Sequence, residues 1–391
     1  MKVLILHQHF NKPEIGGPLR SYYLAKALIN AGIEVSVITA GKQREYQREN
    51  YKGLELHSLP VAYDNRFGFY KRGFSFISFA LRAVTVAAQI PHVDYVYAMS
   101  VPLTVGQSAL WIQRRQKIPF FFEVGDLWPD APVEMGFIQN PLLKRSLYLL
   151  ERQIYHKAKR VVALSDPIRD RIMLKTQQKN VEVVPNMSDT SFFQVEQKDP
   201  RIEQKYAVEN KFVVSYIGAL GFANGLDYLL ECARASAKAG LPIQFIICGD
   251  GAEESHLKSA IAMLSLTNVK LVGFANRDGV KELMNITDLV FVSYKPFPIL
   301  ETGSPNKYFD GLACGKPIVT NFKGWISDEI SREKCGVPLD PQLPQSFVRE
   351  ITPLLSNKSE YETMSRNARA LAEKKYSREI LGRKFVSLFG R

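Results

Sequence analysis

The sequence predicts an α/β protein in which two doubly wound domains face each other across a cleft. Short runs of β-branched and aromatic residues alternate with helical patterns, and this alternation is typical of parallel sheets covered by helices on both faces. It stops in a polar stretch at residues 188–210 and then starts again. The length of 391 residues also exceeds one ordinary core and suits two domains.

The first series of predicted strands is apolar and bounded by turn residues. These strands lie at residues 3–6, 34–39, 54–59, 95–99, 119–124, 160–164 and 181–184. Between the first two strands, residues 19–31 have the apolar spacing of an amphipathic helix that Gly32 ends. We therefore expect a first domain over residues 1–187.

The second series has strands predicted at residues 212–217, 244–248, 269–272, 289–292 and 317–320. It defines a second domain over residues 188–376, which includes the polar linker. A final helix, at residues 377–391, suits either domain. Because ligands of doubly wound sheets bind outside the carboxyl ends of the strands, we expect the site residues in the loops that follow them.

The excess of positive charge limits the classes of partner. A formal net charge of +12 attracts the phosphate groups of nucleic acids, anionic membranes or anionic substrates. No nucleic-acid-binding motif is recognisable, so we expect no nucleic-acid partner. The four cysteines are far apart and form no C-x-x-C pair. This pattern favours a reducing cytoplasm, and we expect neither a metal site nor a cofactor.

Aromatic and basic residues are concentrated at residues 66–82, RFGFYKRGFSFISFALR. The apolar stretch that follows is interrupted by Arg82 and ends at Pro91, so it is too short to span a bilayer. A basic, aromatic-rich helix can instead lie in the headgroup region, which predicts peripheral contact with an anionic membrane surface. A loop and a core helix with ordinary solvated charges remain the alternative.

The loop after the first strand is a candidate for phosphate binding. Gly16 and Gly17 let the backbone approach a phosphate closely, and the helix that follows Pro18 offers free N–H groups. Arg20 is expected near the same helix start. A strand-to-helix turn without a ligand is the alternative, and the glycine spacings of nicotinamide-binding and P-loop sites are absent.

Carboxylates follow the predicted strand at residues 119–124. Glu123 and Asp126 can accept hydrogen bonds from sugar hydroxyl groups, and the indole ring of Trp128 can pack on a sugar ring. Structural caps around a buried tryptophan are the alternative. Because the carboxyl end of a strand faces the cleft, we expect these residues to contact a substrate.

Turns around the second domain are weaker candidates. Gly218 opens a glycine-rich turn, residues 218–225, whose backbone N–H groups can meet a diphosphate, although the turn contains no Lys or Arg. Phe274 follows another strand and can line a base pocket. Asn186, at the exit of the first domain, suits an Asx-turn as well as a ligand contact. For Gly218 and Phe274, a strand-to-helix turn without a ligand remains the alternative.

The most informative segment is residues 301–317, between two predicted strands. The Gly-Ser-Pro sequence at residues 303–305 can start a helix whose N–H groups point at an anion. Lys307 adds a positive charge, and the carboxylate of Asp310 can accept hydrogen bonds from both hydroxyl groups of a ribose. This order predicts a nucleoside diphosphate site, with a capped helix and a surface Asp as the alternative. The predicted donor contacts are Thr302, Gly303, Ser304, Pro305, Asn306 and Asp310.

The sequence SPNKYFDGLACGKPIV in this segment resembles the donor-binding signature of the retaining glycosyltransferases of family 4, especially those of bacterial polysaccharide synthesis. The stretches GGPLR, EVGDLWP and VVPN occur in the order of that family, so the resemblance covers nearly the whole chain. It implies a GT-B fold: two Rossmann-like domains, of which the first binds the acceptor and the second the donor. It also implies that the final helix crosses back to the first domain.

The chain departs from the family pattern at two places. The family has two Glu residues seven positions apart; Asp310 occupies the second position, whereas the first falls on Thr302, with Glu301 one place away. The Arg and Lys that the family carries at its second-domain glycine turn are absent here. We therefore expect Lys307 and Arg20 to supply the positive charge for the donor phosphates.

The resemblance implies retaining transfer of an N-acetylated hexosamine or deoxyhexose from a nucleotide diphosphate of the uridine type to a lipid-linked saccharide. The enzyme is expected at the inner face of the cell membrane, in the synthesis of a surface polysaccharide such as capsule or O-antigen. Asp126 and Lys307 are the predicted catalytic residues. Two alternatives are an epimerase of the same fold and a non-catalytic membrane-surface protein with a lost donor site.

Overall fold

The computed structural model describes residues 1–64, 67–177 and 179–390. The first sheet is built from eight strands: β1 (Lys2–Leu6), β2 (Glu34–Gly41), β3 (Gln47–Tyr51), β4 (Leu54–Pro60), β5 (Tyr95–Met99), β6 (Phe120–Val124), β7 (Arg160–Ala163) and β8 (Val181–Val183). Their order is β3-β4-β2-β1-β5-β6-β7-β8, and every pair is parallel except β3 with β4. This arrangement is a doubly wound sheet.

Helices connect and cover these strands. They are α1 (Arg20–Asn30), α2 (Phe69–Ala87), α3 (Thr104–Gln116), α4 (Asp130–Glu134), α5 (Pro141–Lys157) and α6 (Asp166–Thr176). The alternation of side chains along β1 explains why helices are needed on both faces. Val3 and Ile5 pack in one core with Leu24 of α1, whereas Leu4 packs in the other core with Phe79 of α2.

The second sheet contains six parallel strands in the order β11-β10-β9-β12-β13-β14. They are β9 (Phe212–Ile217), β10 (Ile243–Cys248), β11 (Val269–Gly273), β12 (Leu289–Val292), β13 (Ile318–Thr320) and β14 (Gly336–Pro338). The remaining α-helices are α7 (Pro200–Tyr206), α8 (Asp227–Lys238), α9 (Glu254–Met263), α10 (Arg277–Ile286), α11 (Asn306–Ala313), α12 (Trp325–Arg332), α13 (Ser346–Ser356), α14 (Lys358–Leu371) and α15 (Arg378–Ser387). Shorter helical turns lie at Phe222–Asn224, Pro298–Thr302 and Ala372–Tyr376.

The predicted strands agree with the structure to within two residues at each end. The two Rossmann-like domains predicted from the alternation are confirmed. The prediction omitted β3 and β14. The sequence of β3 is the polar run QRENY, and this strand pairs only with β4 at the edge of the sheet, so it carries no apolar signal. β14 is only three residues long.

The last helix, α15, packs on the first domain. It contacts α1, and the ring of Phe385 lies 4.8 Å from that of Tyr97 in an edge-to-face arrangement. Phe389, just beyond the helix, lies 4.8 Å from Phe121 of β6. The predicted boundary near residue 187 falls in the segment between β8 and β9. Residue 391, the predicted end of this helix, lies outside the described residues.

The helix α2 contains most of the predicted basic and aromatic segment, although Arg66 lies outside the described residues. Four large apolar side chains on one side of α2 are exposed to solvent: Tyr70, Phe74, Ile77 and Leu81. Within the described part of the chain, no helix is both long enough and apolar enough to cross a bilayer.

Candidate functional site

A cavity of about 420 Å³ lies between the two domains. It is bordered by the loops that follow β1, β8, β9, β10 and β11 and by the start of α11, at the carboxyl ends of strands from both sheets. Eight of the predicted site residues line it: Gly17, Arg20, Gly218, Phe274, Pro305, Asn306, Lys307 and Asp310. Other predicted residues lie behind this wall or elsewhere: Gly16, Glu123, Asp126, Trp128, Thr302, Gly303 and Ser304.

Lys307 is buried at the floor of the cavity. Its Nζ donates to the Tyr216 hydroxyl (3.1 Å) and to Oδ1 of Asn224 (3.2 Å). Neither partner is charged, and burial lowers the pKa of Lys307 to about 7. A Cβ atom at Gly218 would lie 3.0 Å from Cε of this lysine. Lys307 of α11 therefore places a positive charge beside the glycine turn, which contains no basic residue itself.

Asp310 lies one helical turn after Lys307 and also faces the cavity. Burial raises the pKa of its carboxyl group to about 7; Asp189 contributes to the increase, while Arg277 opposes it. Within the described residues, the carboxylate has no hydrogen bond or ion pair. A half-buried carboxylate without a partner is costly in an empty protein, so this group is available for a ligand that donates hydrogen bonds.

The helix α11 begins at Asn306, later than the sequence predicted. Its start has no side-chain cap, so the first N–H groups are free for an anion beside Lys307. The N–H of Gly303 is not among them, because it donates to the Leu300 carbonyl (3.1 Å) and ends the preceding helical turn. Because this N–H already has a partner, the expected contact of Gly303 with a diphosphate stays a prediction.

Thr302 and Ser304 join the two domains. The Thr302 hydroxyl donates to the Ile299 carbonyl (2.7 Å), and the Thr302 carbonyl accepts from the Ser165 hydroxyl of the first domain (2.6 Å). The Ser304 carbonyl accepts from Nδ2 of Asn186 (2.5 Å). These contacts use the polar groups of the segment before α11 to hold the domains together, so a direct donor contact of either residue stays a prediction.

Arg20 and Glu123 are paired with each other. Nε and Nη2 of Arg20 donate to the two carboxylate oxygens of Glu123 (2.9 and 2.8 Å). Arg20 also donates to the carbonyls of Val184 (2.8 Å) and Pro185 (2.5 Å), and Tyr97 donates to Glu123. Both charges are buried and mutually compensated. Arg20 therefore has little free capacity for a phosphate, and Glu123 has little for a sugar.

Asp126 and Trp128 differ in exposure. Asp126 is accessible to solvent, yet the surrounding protein raises the pKa of its carboxyl group. Its charge contributes to the raised pKa of Tyr294 in the second domain. Trp128 is half-buried and packs against the apolar core of the first domain. The catalytic role of Asp126 therefore stays a prediction, whereas Trp128 has mainly a packing environment.

The sequence reasoning missed Arg277 and Asp189. Both line the cavity, and they form an ion pair. Arg277 begins α10, whose N-cap is Asn276. A cap residue followed by an arginine, shortly after the predicted strand at residues 269–272, was the available signal. Gly16 lies beside them: a Cβ atom there would be 3.0 Å from the Arg277 backbone nitrogen. This glycine permits close contact between the domains instead of lining the cavity.

Within the described ranges, no group of three or more His, Cys, Asp or Glu side chains could hold a metal ion. The start of α11 brings Lys307, Asp310 and its own uncapped N–H groups to the cavity. Together they offer a cation, an acceptor and free N–H donors within one helical turn. This set suits an anionic ligand that also carries hydroxyl groups.

Comparison with curated proteins gives distant relatives. The chain is 23% identical over 244 residues to alpha-D-kanosaminyltransferase of Streptomyces kanamyceticus, an alignment that covers 61% of this chain and 62% of the relative. It is 20% identical over 251 residues to the capsular polysaccharide biosynthesis glycosyltransferase CapM of Staphylococcus aureus, covering 62% and 64%. The chain thus spans less than two thirds of these relatives' lengths.

Solved structures share the fold over the whole chain. A sucrose-phosphate synthase from Thermosynechococcus elongatus superposes with a TM-score of 0.77 at 14% identity, covering 100% of this chain and 98% of the other. Anabaena HepE in complex with UDP-glucose gives 0.70 at 18% identity, covering 100% and 99%. At these identities, the likeness concerns the arrangement of the two domains.

Family comparison assigns both halves of the chain. Residues 16–187 match the family described as "Glycosyl transferase 4-like domain". Residues 198–371 match the family described as "Glycosyl transferases group 1". The two matches follow each other as the two sheets do, and each contains one wall of the cavity. The chain therefore belongs to the family 4 type of glycosyltransferases with the GT-B fold.

Proposed function

We propose that this protein is a retaining glycosyltransferase that takes a sugar from a uridine diphosphate donor bound in the cavity between the domains. The observation that carries the proposal is the placement of Lys307 and Asp310, both without a charged partner, one turn apart at the start of α11. An anionic ligand with hydroxyl groups satisfies both side chains at once, and a nucleoside diphosphate has this composition.

The donor is oriented by the order of groups along the cavity. Its diphosphate lies at the start of α11, where free N–H groups and Lys307 compensate the negative charge. Its ribose hydroxyls donate to Asp310. The base lies toward Phe274, whose ring is largely exposed at the cavity wall. HepE, which has the same fold, was crystallised with UDP-glucose, and this supports the uridine nucleotide.

The chemistry follows from which groups are free. In retaining transfer, the leaving diphosphate accepts the proton of the acceptor hydroxyl on the same face of the sugar, so no enzyme nucleophile is required. Lys307 and the helix start stabilise the charge that develops on the diphosphate. Asp126, which is accessible to solvent although it does not line the cavity, acts on the acceptor from the first domain.

The transferred sugar is an N-acetylated hexosamine or a deoxyhexose, and the acceptor is a lipid-linked saccharide of a surface polysaccharide. Two relatives support this class by their names: CapM, and the amylovoran biosynthesis glycosyltransferase AmsK of Erwinia amylovora, which is 22% identical over 204 residues. The kanosaminyltransferase supports an amino-sugar donor. The enzyme works in the cytoplasm at the inner membrane face.

A donor screen tests the transferase function. Purified protein is incubated with a library of nucleotide sugars, with and without a polyprenyl-linked acceptor, and release of nucleoside diphosphate is measured. We expect acceptor-dependent release with a uridine diphosphate sugar and its loss in Lys307→Met. Free epimerised sugar without acceptor would instead indicate an epimerase, and no nucleotide binding at all would indicate a non-catalytic protein.

The membrane contact is carried by α2. Its exposed apolar side chains recur at i, i+4, i+7 and i+11, with exposures of 89% for Tyr70, 74% for Phe74, 56% for Ile77 and 54% for Leu81. Lys71 and Arg82 lie beside this stripe and are also exposed. Apolar residues flanked by positive charge suit the surface of an anionic bilayer.

Vesicle flotation tests this surface. We expect the protein to float with vesicles of phosphatidylglycerol and phosphatidylethanolamine, and Phe74→Glu to remain at the bottom of the gradient. Met263→Glu is the matched control, because Met263 is 80% exposed on α9 of the second domain. Equal flotation of both variants would remove α2 from the membrane contact.

A further inference from the structure

The helix α12 holds the segment that begins α11 at two points. Trp325 and Glu329 lie one helical turn apart on α12. The indole N–H of Trp325 donates to the Gly303 carbonyl (2.8 Å). The Tyr308 hydroxyl donates to Oε2 of Glu329 (2.6 Å). Lys307 lies between these two points in the chain, so α12 fixes the backbone on both sides of it.

Glu329 is a buried carboxylate whose two oxygens have different partners. Oε1 accepts from Lys375 (2.5 Å) and Arg332 (3.3 Å), which compensate its charge. Oε2 accepts from the hydroxyl groups of Tyr308 (2.6 Å) and Tyr376 (2.5 Å). Burial and the charge of Glu329 raise the pKa of both tyrosines, so each keeps the proton that it donates. The second oxygen thus holds two phenol groups.

The Tyr308 side chain points away from the ligand cavity. It is completely buried and packs edge-to-face on the Trp325 ring, with the ring centroids 5.8 Å apart. Lys307 and Asp310 of the same helix line the cavity, whereas Tyr308 does not. Because successive side chains of an α-helix are about 100° apart, a rotation of α11 that moves Tyr308 also turns Lys307 and Asp310. The contact of Tyr308 with Glu329 therefore bears on the direction of both cavity groups.

The position of Lys307 is itself unfavourable in the empty protein. Its ammonium group is buried with two uncharged partners, and a buried charge without a counter-charge costs free energy. Contacts elsewhere on α11 must offset that cost. Backbone carbonyls later in the helix are held by Ser188 and Arg369, at 2.8 and 2.5 Å. The Tyr308 hydroxyl supplies the contact next to Lys307 in the chain.

We propose that Glu329 is a positioning residue of the nucleotide site. By holding the Tyr308 hydroxyl, it fixes the rotation of α11 at which Lys307 and Asp310 both face the ligand. Glu329 does not line the cavity, so it acts through α11 and makes no contact with the ligand. The uridine nucleotide used as a probe rests on the proposed function, whereas the hold of Glu329 on α11 concerns the protein alone.

Tyr376 provides a matched control for Tyr308. Both hydroxyl groups donate to the same oxygen of Glu329, and the exposed fractions of the two residues are 1% and 0%. They differ in that Tyr308 belongs to α11 and Tyr376 to the helical turn after α14. Tyr308→Phe and Tyr376→Phe each remove one hydroxyl from a buried carboxylate, so both should lower the melting temperature by a similar amount. Only Tyr308→Phe should change ligand binding.

Calorimetric titration with uridine diphosphate tests the proposal. We expect Tyr308→Phe to bind the nucleotide at least about fivefold more weakly than the native protein, because Lys307 and Asp310 are displaced from the ligand. Tyr376→Phe should keep the native affinity to within about twofold. Native affinity in Tyr308→Phe, or equal weakening in the two tyrosine variants, would overturn the proposal.

Glu329→Gln tests whether the effect runs through this carboxylate. The amide oxygen should turn to Lys375 and Arg332, which need an acceptor, and the NH2 group then faces the tyrosine hydroxyls. Nucleotide binding should weaken as much as in Tyr308→Phe. The combined variant should bind no more weakly than either single variant, because both changes break the same contact. Additive losses would mean that Tyr308 acts by another route and would remove the role of Glu329.

Amide hydrogen exchange of the ligand-free protein gives a readout that does not depend on the nucleotide. Residues 306–313 should exchange faster in Tyr308→Phe and at the native rate in Tyr376→Phe. If the native protein does not bind uridine diphosphate at all, the proposed function fails, and this comparison decides on Glu329. Equal exchange of residues 306–313 in the two tyrosine variants would then contradict its hold on α11.

Discussion

Lys307 and Asp310 lie one turn apart on α11 and face the same cavity, yet within the described structure neither forms an ion pair. Burial moves the two pKa values toward each other, to about 7 in both cases. Each group is thus held without a charged partner in the empty protein, and the proposed nucleoside diphosphate would compensate both.

The first prediction concerns pH. A diphosphate needs the protonated Lys307, which is lost as pH rises above about 7, and a ribose needs the ionised Asp310, which is lost as pH falls below about 7. Affinity for uridine diphosphate should therefore be greatest near neutral pH and fall on both sides. Calorimetric titrations between pH 5.5 and 9, in about half-unit steps, measure this profile.

Single variants separate the two limbs of this profile. In Asp310→Asn, the affinity for uridine diphosphate should no longer show the additional decrease at low pH. In Lys307→Met, this affinity should no longer decrease at high pH. Titration of the nucleotide's own phosphate is common to all three proteins and cancels in the comparison. Identical profiles in the native protein and both variants would contradict the assignment of these groups to the ligand.

The second prediction concerns Asp310 alone. Replacing it with Ala should weaken donor binding by about 1.5–3 kcal/mol, the contribution of a charged hydrogen bond. The empty variant should be relatively more stable above pH 7, because a raised carboxyl pKa means that stability is lost as pH rises through its folded value. Calorimetry measures donor binding, and thermal unfolding at pH 5 and 8 measures the change in stability. A donor affinity within a factor of about two of the native value would contradict the predicted loss of binding.

The third prediction concerns the approach of Lys307 to the glycine turn. In Gly218→Ala, the new Cβ would lie 3.0 Å from Lys307 Cε, and the residue has a positive φ of 157°. We expect Lys307 to shift, and affinity for uridine diphosphate to fall by about 1–3 kcal/mol. Gly240→Ala is the control, because its φ is also positive but no atom lies within 4 Å of the added Cβ; it should leave affinity unchanged.

The fourth prediction separates stability from ligand binding. Glu123→Gln leaves the buried Arg20 without its counter-charge and should lower the free energy of unfolding by about 3–5 kcal/mol. Glu182→Gln disrupts the exposed pair with Arg160 (3.3 Å) and should cost at most about 1 kcal/mol. Urea unfolding measures both. A small effect of Glu123→Gln, together with a large loss of acceptor affinity, would restore the ligand role first expected for Glu123.

The alternation of apolar strands and helices was sufficient to predict both sheets and every central strand. Local chemistry was also sufficient to find Lys307 and Asp310, because a glycine-serine-proline start, a lysine and an aspartate follow each other within one short segment. The edge strand β3 was not predicted because its residues are polar. It pairs with one neighbouring strand only, so half of its backbone groups have no partner in the sheet.

The sequence by itself determined the two-domain fold, the family and the segment at residues 301–317 that borders the cavity, since these depend on residues that are near each other in the chain. Tertiary structure decided how the charges are shared. Arg20 and Glu123, 103 positions apart, neutralise each other, and Asp189 meets Arg277 from 88 positions away. Such pairings are set by how the sheets and helices pack, and no local pattern encodes which carboxylate a given arginine will reach.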